Sequence, residues 1–160
     1  MKLILIAATG TKGEIGYENK LPWKCFNDMR YFKKTTVGEK HGCVMGRKTW
    51  ESLPPNKLPD RVCIVLSSVP IDDERCVVVS SFEEAKLAAR RLDLEKLFII
   101  GGSSLFHDYY ESCDEMHITT ILTPIHNADT WFRPTISPTR WRLLMQEDYE
   151  DCVIKRWVRR

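Results

Sequence analysis

The sequence predicts an α/β protein built on a mostly parallel sheet, and three observations carry that reading. Four short apolar runs, Leu3 to Ala8, Cys43 to Met45, Val62 to Leu66 and Leu97 to Ile100, are continuous rather than alternating, as strands covered on both faces require. Segments of helical periodicity lie between them, and strand–helix alternation is the pattern of parallel sheets. The 160 residues, 43 % apolar and 29 % charged, suit one domain that buries its own core.

The elements follow in order. Met1 to Ala8 superficially resembles a signal peptide, but its apolar run is short and Thr9-Gly10-Thr11-Lys12-Gly13 follows at once, so a buried first strand is expected. Asn19-Lys20-Leu21-Pro22-Trp23 reads as a loop able to lie over a pocket. Cys25, Met29, Phe32 and Thr36 recur at helical spacing, with Gly38 as a stop. Pro54-Pro55 and Pro59 mark a surface loop inside the domain. Ser81-Phe82-Glu83-Glu84 is a capping-box start, with Ala85, Ala88, Ala89 and Leu92 on one face. Ser103 or Ser104 is placed to cap a short helix through Leu105-Phe106. Met116 to Leu122, Trp141 to Glu147 and Cys152 to Val158 read as strands with no long helix between them. The short turn from Asp148 to Asp151 makes the last pair an antiparallel hairpin.

Composition excludes several function classes. A formal net charge of +2 with no dense basic block predicts no nucleic-acid stripe; the basic C-terminus, Lys155 to Arg160, reads as a strand running into a solvated tail. No stretch is long enough to span a membrane. The six cysteines form no C-x-x-C pair and two of them, Cys43 and Cys63, lie in apolar runs, so a reducing, cytoplasmic compartment without disulfides is expected. The four histidines show no metal-ligand spacing with them, and no metal is expected.

Ligands of parallel sheets bind beyond the carboxyl ends of the strands. Those ends carry Gly46-Arg47-Lys48-Thr49, Leu66-Ser67-Ser68 and Gly101-Gly102-Ser103-Ser104. Cations and hydroxyls at the first suit phosphate; a Gly-Gly before a helix admits an anion. Each also has a plain reading, as a solvated helix start or a tight turn. Neither a P-loop nor a G-x-G-x-x-G fingerprint is present, which disfavours a phosphotransferase. Two such ends favour an extended ligand such as a dinucleotide. Arg61 reads as a solvated cation or as a bidentate partner for a carboxylate. Thr119 needs a hydrogen-bond partner if buried, and Trp23 is core or lid. Asp28 opens a helix whose other faces look apolar. It is either a carboxylate favoured by the helix dipole or the ionisable group of a pocket, where its burial needs a use for its charge or proton; it shares a face with Phe32.

These motifs are collinear, over essentially the whole chain, with those of dihydrofolate reductase, which the sequence resembles. The match runs through Leu5-Ile6-Ala7-Ala8, Ile15-Gly16, Asn19 to Trp23, Asp28, Phe32, Thr36, Val44 to Ser52, Leu58-Pro59-Asp60-Arg61, Ile64 to Ser68, Ile99 to Phe106, Ile118-Thr119 and Asp129-Thr130-Trp131-Phe132. The resemblance implies a single domain over residues 1–160, with a mixed, mostly parallel eight-stranded sheet, about four flanking helices and an antiparallel C-terminal hairpin. It implies NADPH-dependent reduction of 7,8-dihydrofolate to tetrahydrofolate and binding of antifolates; the lack of an obvious apolar repeat favours a monomer. Asp28 would bind the amino and ring-nitrogen edge of the pterin. Thr119 would bond Asp28, and Trp23 would steady a water beside it. Ile6, Ala8, Leu21, Met29, Phe32, Leu58 and Ile100 would line the substrate pocket, and Arg61 would take the glutamate carboxylate. Arg47, Lys48, Thr49, Ser67 and Ser68 would hold cofactor phosphates. Ala8, Ile15, Gly16, Gly46, Leu66, Gly101, Gly102, Ser103, Ser104, Leu105, Phe106 and Thr130 would complete the cofactor side. Gly13 to Trp23 would be a mobile loop.

Phe106 stands where the family commonly has Tyr, and Ser103-Ser104 supplies no cation after the Gly-Gly, so cofactor charge recognition rests on Arg47 and Lys48. A pyrimidine reductase of riboflavin synthesis, with the same fold, would lack the Pro-Trp to Asp spacing and Arg61. A non-catalytic nucleotide-binding protein would have no need of Asp28 with Thr119.

Overall fold

The computed structural model describes residues 1–16, 18 and 23–160. The strands are β1 (Lys2–Gly10), β2 (Glu14–Gly16), β3 (His41–Gly46), β4 (Val62–Leu66), β5 (Cys76–Val79), β6 (Lys96–Gly101), β7 (Glu115–Ile121), β8 (Thr130–Trp131), β9 (Trp141–Asp148) and β10 (Cys152–Arg159). The α-helices are α1 (Phe26–Thr36), α2 (Arg47–Ser52), α3 (Phe82–Arg91) and α4 (Ser103–Tyr109), and a 3-10 turn follows at Tyr110–Ser112. Eight strands form one sheet in the order β5-β4-β3-β6-β1-β7-β10-β9. Pairing is parallel from β5 to β7, and β10 runs antiparallel to both β7 and β9. β2 and β8 make a separate antiparallel ribbon.

The continuous apolar runs are explained by two cores, one on each face. From β1, Leu3, Leu5 and Ala7 join Val44, Ile64, Leu97 and Ile99 beneath Phe82, Ala85 and Ala89 of α3 and Leu105 and Phe106 of α4. Ile4 and Ile6 point the other way, to Cys43, Met45, Val65, Phe98 and Trp50, with Tyr31 and Phe32 of α1 packed against them. A strand whose alternate residues enter different cores has no polar face left to show.

The N-terminus of α3 is capped as expected. Ser81 Oγ accepts the Glu84 N–H at 3.1 Å, while the Glu84 carboxylate reaches back to the Ser80 N–H at 2.9 Å. Leu92 does not join the buried face of α3. It is 50 % exposed because the helix ends at Arg91. Neither Ser103 nor Ser104 caps α4. Gly102 holds the cap position, and Ser103 Oγ donates instead to the Trp131 carbonyl at 2.9 Å, fastening α4 to β8.

Candidate active site

The carboxyl end of β1 lies between those of β6 and β7, and α1 crosses the same sheet face. Central-strand residues should be covered there, yet Ala8 and Ile100 are only partly buried, and so are Phe32 and Leu58. Ile6, Phe32, Leu58 and Ile100 share one apolar cluster. Incomplete cover over the middle of a sheet marks a cleft between α1 and the strand ends.

Asp28 stands at this cleft, in the first turn of α1 and on the same side as Phe32. Burial raises its pKa above the ordinary 3.8, and a hydrogen bond from the Thr119 hydroxyl opposes that rise. Thr119 is 2 % exposed and lies beside Ala8 in the β1–β7 register. The buried hydroxyl of Thr119 and the Asp28 carboxylate thus influence one another across the cleft. Trp23 packs on a small cluster of Cys25, Ile121, Cys152 and Ile154, next to the strand that carries Thr119. Met29, expected in the pocket wall, is 59 % exposed. It follows Asp28 by about 100° around the helix and so faces outward. Leu21 lies outside the described residues, as does most of Asn19 to Trp23. Of the expected mobile segment, Glu14–Gly16 is paired with Thr130–Trp131, and Gly13 N–H donates to the Gly10 carbonyl at 3.1 Å.

Arg61 is fixed beside the other end of α1. Its Nε donates to the Pro59 carbonyl and its Nη1 to Thr36 Oγ1, both at 3.0 Å. Thr36 is fully buried and donates its own hydroxyl proton to the Phe32 carbonyl at 2.8 Å. Arg61 borders a cavity of about 450 Å³ with Val37, Gly38, Glu39 and Asp60. Thr36 was not among the expected site residues. Its position at the end of the α1 stripe and its place in the family match were the only signals for it.

The cofactor-side residues meet at the ends of β3, β4 and β6. Gly46 precedes α2, and a Cβ placed there would meet nothing within 4 Å. Gly101 has φ +136°, which L side chains rarely adopt, and is joined to Gly102 by a cis peptide. Thr49 Oγ1 lies 3.4 Å and 3.6 Å from where Cβ atoms on Gly101 and Gly102 would stand. Lys48 is exposed, and Arg47 pairs with Glu51 at 2.7 Å, on the surface. Neither α2 nor α4 has a side-chain N-cap, so no capping side chain takes up their first-turn amides. Gly46, Gly101 and Gly102 thus lie at strand ends close to Thr49, with Arg47 and Lys48 next in sequence to Gly46. Ser67 takes part as a turn former, its Oγ donating to the Val69 carbonyl at 2.7 Å and accepting the Val69 N–H at 3.1 Å; Ser68 is exposed. Leu105 and Phe106 are core residues under the Gly-Gly turn, Phe106 set edge-on to Phe132. Ile15 packs against the same core, and Thr130 Oγ1 donates to Asp129 at 2.9 Å.

A model of the family "Dihydrofolate reductase" matches residues 2–155. The chain is 35 % identical to dihydrofolate reductase of Haemophilus influenzae over 147 residues, covering 92 % of this chain and 88 % of that one. It is 38 % identical to dihydrofolate reductase of Bacillus subtilis over 138 residues, covering 83 % and 76 %. Among solved structures, dihydrofolate reductase from Enterococcus faecalis, complexed with NADP(H) and RAB-propyl, superposes with a TM-score of 0.84 at 32 % identity, covering 99 % of this chain and 96 % of that one. With sequence and fold matched along almost the whole length, the chain belongs to the dihydrofolate reductase family.

Proposed function

We propose that the chain reduces 7,8-dihydrofolate to 5,6,7,8-tetrahydrofolate with NADPH, and that Asp28 is the residue that holds the pterin. The observation that carries the assignment is a carboxylate in the first turn of α1, its pKa raised by burial and drawn partly back by the Thr119 hydroxyl. A pterin edge with an amino group and a ring nitrogen offers two donors to such a carboxylate.

NADPH supplies the hydride, so the protein needs no redox group of its own. Arg47, Lys48, Thr49 and the Gly46, Gly101 and Gly102 backbone would hold it, with Ala8, Ile15, Gly16, Leu66, Ser67, Ser68, Ser103, Ser104 and Thr130 around them. Leu105 and Phe106 support the Gly-Gly turn from below. Ile6, Ala8, Phe32, Leu58 and Ile100 exclude water from the pterin and orient its ring, and Arg61, preset by Thr36, takes the carboxylate tail. Ring nitrogen 5 must gain a proton for carbon 6 to accept hydride. Asp28 polarises the pterin, and a water that Trp23 helps to place delivers the proton. We place the protein, as a monomer, in a reducing cytoplasmic compartment; the support is six cysteines that are all free thiols. Among the described residues no helix is long and apolar enough to cross a membrane.

The test is NADPH oxidation on addition of dihydrofolate, with and without an antifolate. Turnover that the antifolate abolishes is expected. No turnover by folded protein would overturn the proposal.

A further inference from the structure

We infer that Cys25, Asp151 and Cys152 form a binding site for a thiophilic divalent cation of the Zn²⁺ type. Nothing in the local sequence suggests it. Cys25 and Asp151 are 126 positions apart, and the fold brings them together where the residue before α1 meets the first residue of β10. One ligand atom from each of the three residues lies within 4.8 Å of the others. Both thiols are buried, at 3 % and 0 % exposure, and Asp151 is partly exposed, which leaves an approach for the ion and a position for a water.

One of the three ligand pairs already has the spacing of tetrahedral coordination. Metal–sulfur and metal–oxygen bonds of about 2.3 and 2.0 Å place neighbouring sulfur and oxygen ligands about 3.5 Å apart. Cys25 Sγ and Asp151 Oδ2 are 3.5 Å apart already. The second carboxylate oxygen is held by Asn27 Nδ2 at 3.0 Å, the outer contact that orients a ligating carboxylate. Two sulfurs and one oxygen select a borderline-soft ion over Ca²⁺ or Mg²⁺, which take oxygen ligands. Binding is balanced by proton loss: each thiol forms a metal–sulfur bond as its S–H bond breaks, and two protons pass to solvent for each ion bound. The ion would tie α1 to β10 one helical turn before Asp28.

The experiment uses the full chain, reduced and metal-free, titrated with Co²⁺ as the spectroscopic stand-in and then with Zn²⁺. A near-ultraviolet thiolate-to-cobalt band should appear, reach its maximum at one equivalent, vanish on adding Zn²⁺, and release about two protons per ion. Cys25→Ser and Cys152→Ser should each abolish it, and Cys76→Ser should leave it intact. Asp151→Asn, at a partly exposed position, should weaken binding at least tenfold. A wild-type chain that shows no band, or one whose band survives in the Cys25→Ser/Cys152→Ser variant, would overturn the inference. So would an Asp151→Asn variant that binds as tightly as wild type. None of these readouts depends on catalysis, so a failure here leaves the reductase assignment untouched.

Discussion

The hydroxyl of Thr119, on the central strand β7, acts on the carboxylate of Asp28 in the first turn of α1 and draws its pKa down. Two opposed influences therefore meet on one group. Burial favours the neutral acid, and the hydroxyl favours the anion. The balance keeps the pKa of Asp28 above the ordinary carboxylate value.

Replacing Asp28 with Asn separates these effects. Hydride transfer should fall by about a hundredfold or more, the range of a positioned acid–base group. The fold should gain about 1 kcal/mol at neutral pH, as removal of a functional strain commonly gives. The sign follows from linkage. The folded state holds the Asp28 proton more tightly than the unfolded chain does. Wild-type stability is therefore lost as pH rises from 3.8 through the raised folded value, and it stays lower above it. Urea unfolding of both proteins at pH 4 and pH 7 checks this; the gain in the variant should be confined to the higher pH.

Removing the Thr119 hydroxyl tests the partner. In Thr119→Val the influence that lowers the pKa is lost and burial acts alone. The inflection in the pH profile of hydride transfer should move to higher pH, with the fold retained because Val suits a buried strand position. Pre-steady-state rates across pH 5 to 9 would show it.

Arg61 and Thr36 make a prediction about binding without chemistry. Arg61→Ala should raise KM for dihydrofolate about tenfold while leaving kcat almost unchanged, since a charge-assisted bidentate pair is lost far from the reacting atoms. Thr36→Val removes one hydrogen bond that aims Arg61. At about 1 kcal/mol it should raise KM by a smaller factor. A truncated substrate lacking the carboxylate should be handled equally by all three proteins.

The other end of the same sheet face carries an acid-sensitive device. His117 is 5 % exposed, and its Nδ1 lies 2.6 Å from the Tyr31 hydroxyl. Burial holds its pKa down to about 4, against the pull of Glu115. Glu115 is itself buried, which favours its neutral form, but hydrogen bonds from Arg156 and Lys2 outweigh that and bring it to about 2. The unfolded chain takes up the His117 proton first. Stability is therefore full above the ordinary value of 6.5 and is lost as pH falls towards 4. The loss should approach about 2 kcal/mol between pH 7 and pH 5. His117→Phe should remove that slope, which denaturant midpoints at the two pH values would measure.

Much of this fold was legible because both faces of its central strands are apolar. Leu3, Leu5 and Ala7 enter one core while Ile4 and Ile6 enter the other, so the run reads as a buried strand without any tertiary knowledge. β5 was missed because it is a short edge strand with Val77 and Val78 exposed, and the β2–β8 ribbon is too short to leave a pattern. The α4 cap was misread because Ser103 is drawn to the Trp131 carbonyl, a long-range partner that local capping rules cannot see. For the site, strand-end glycines and cations pointed to a phosphate-bearing ligand. The pairing of Asp28 with Thr119 came only with the family resemblance, since nothing local links α1 to β7. Met29 and Thr36 show the limit of helical spacing. Both lie on the predicted stripe, yet Met29 faces outward while Thr36 is fully buried.

The most direct test of the account is the single-turnover rate of hydride transfer from NADPH to dihydrofolate, measured against pH in wild type and Asp28→Asn. The wild-type rate should decline as pH rises through the folded pKa of Asp28, while the variant is slow and has lost that inflection. Equal rates with the same pH dependence, flat or not, would contradict the central role given to Asp28.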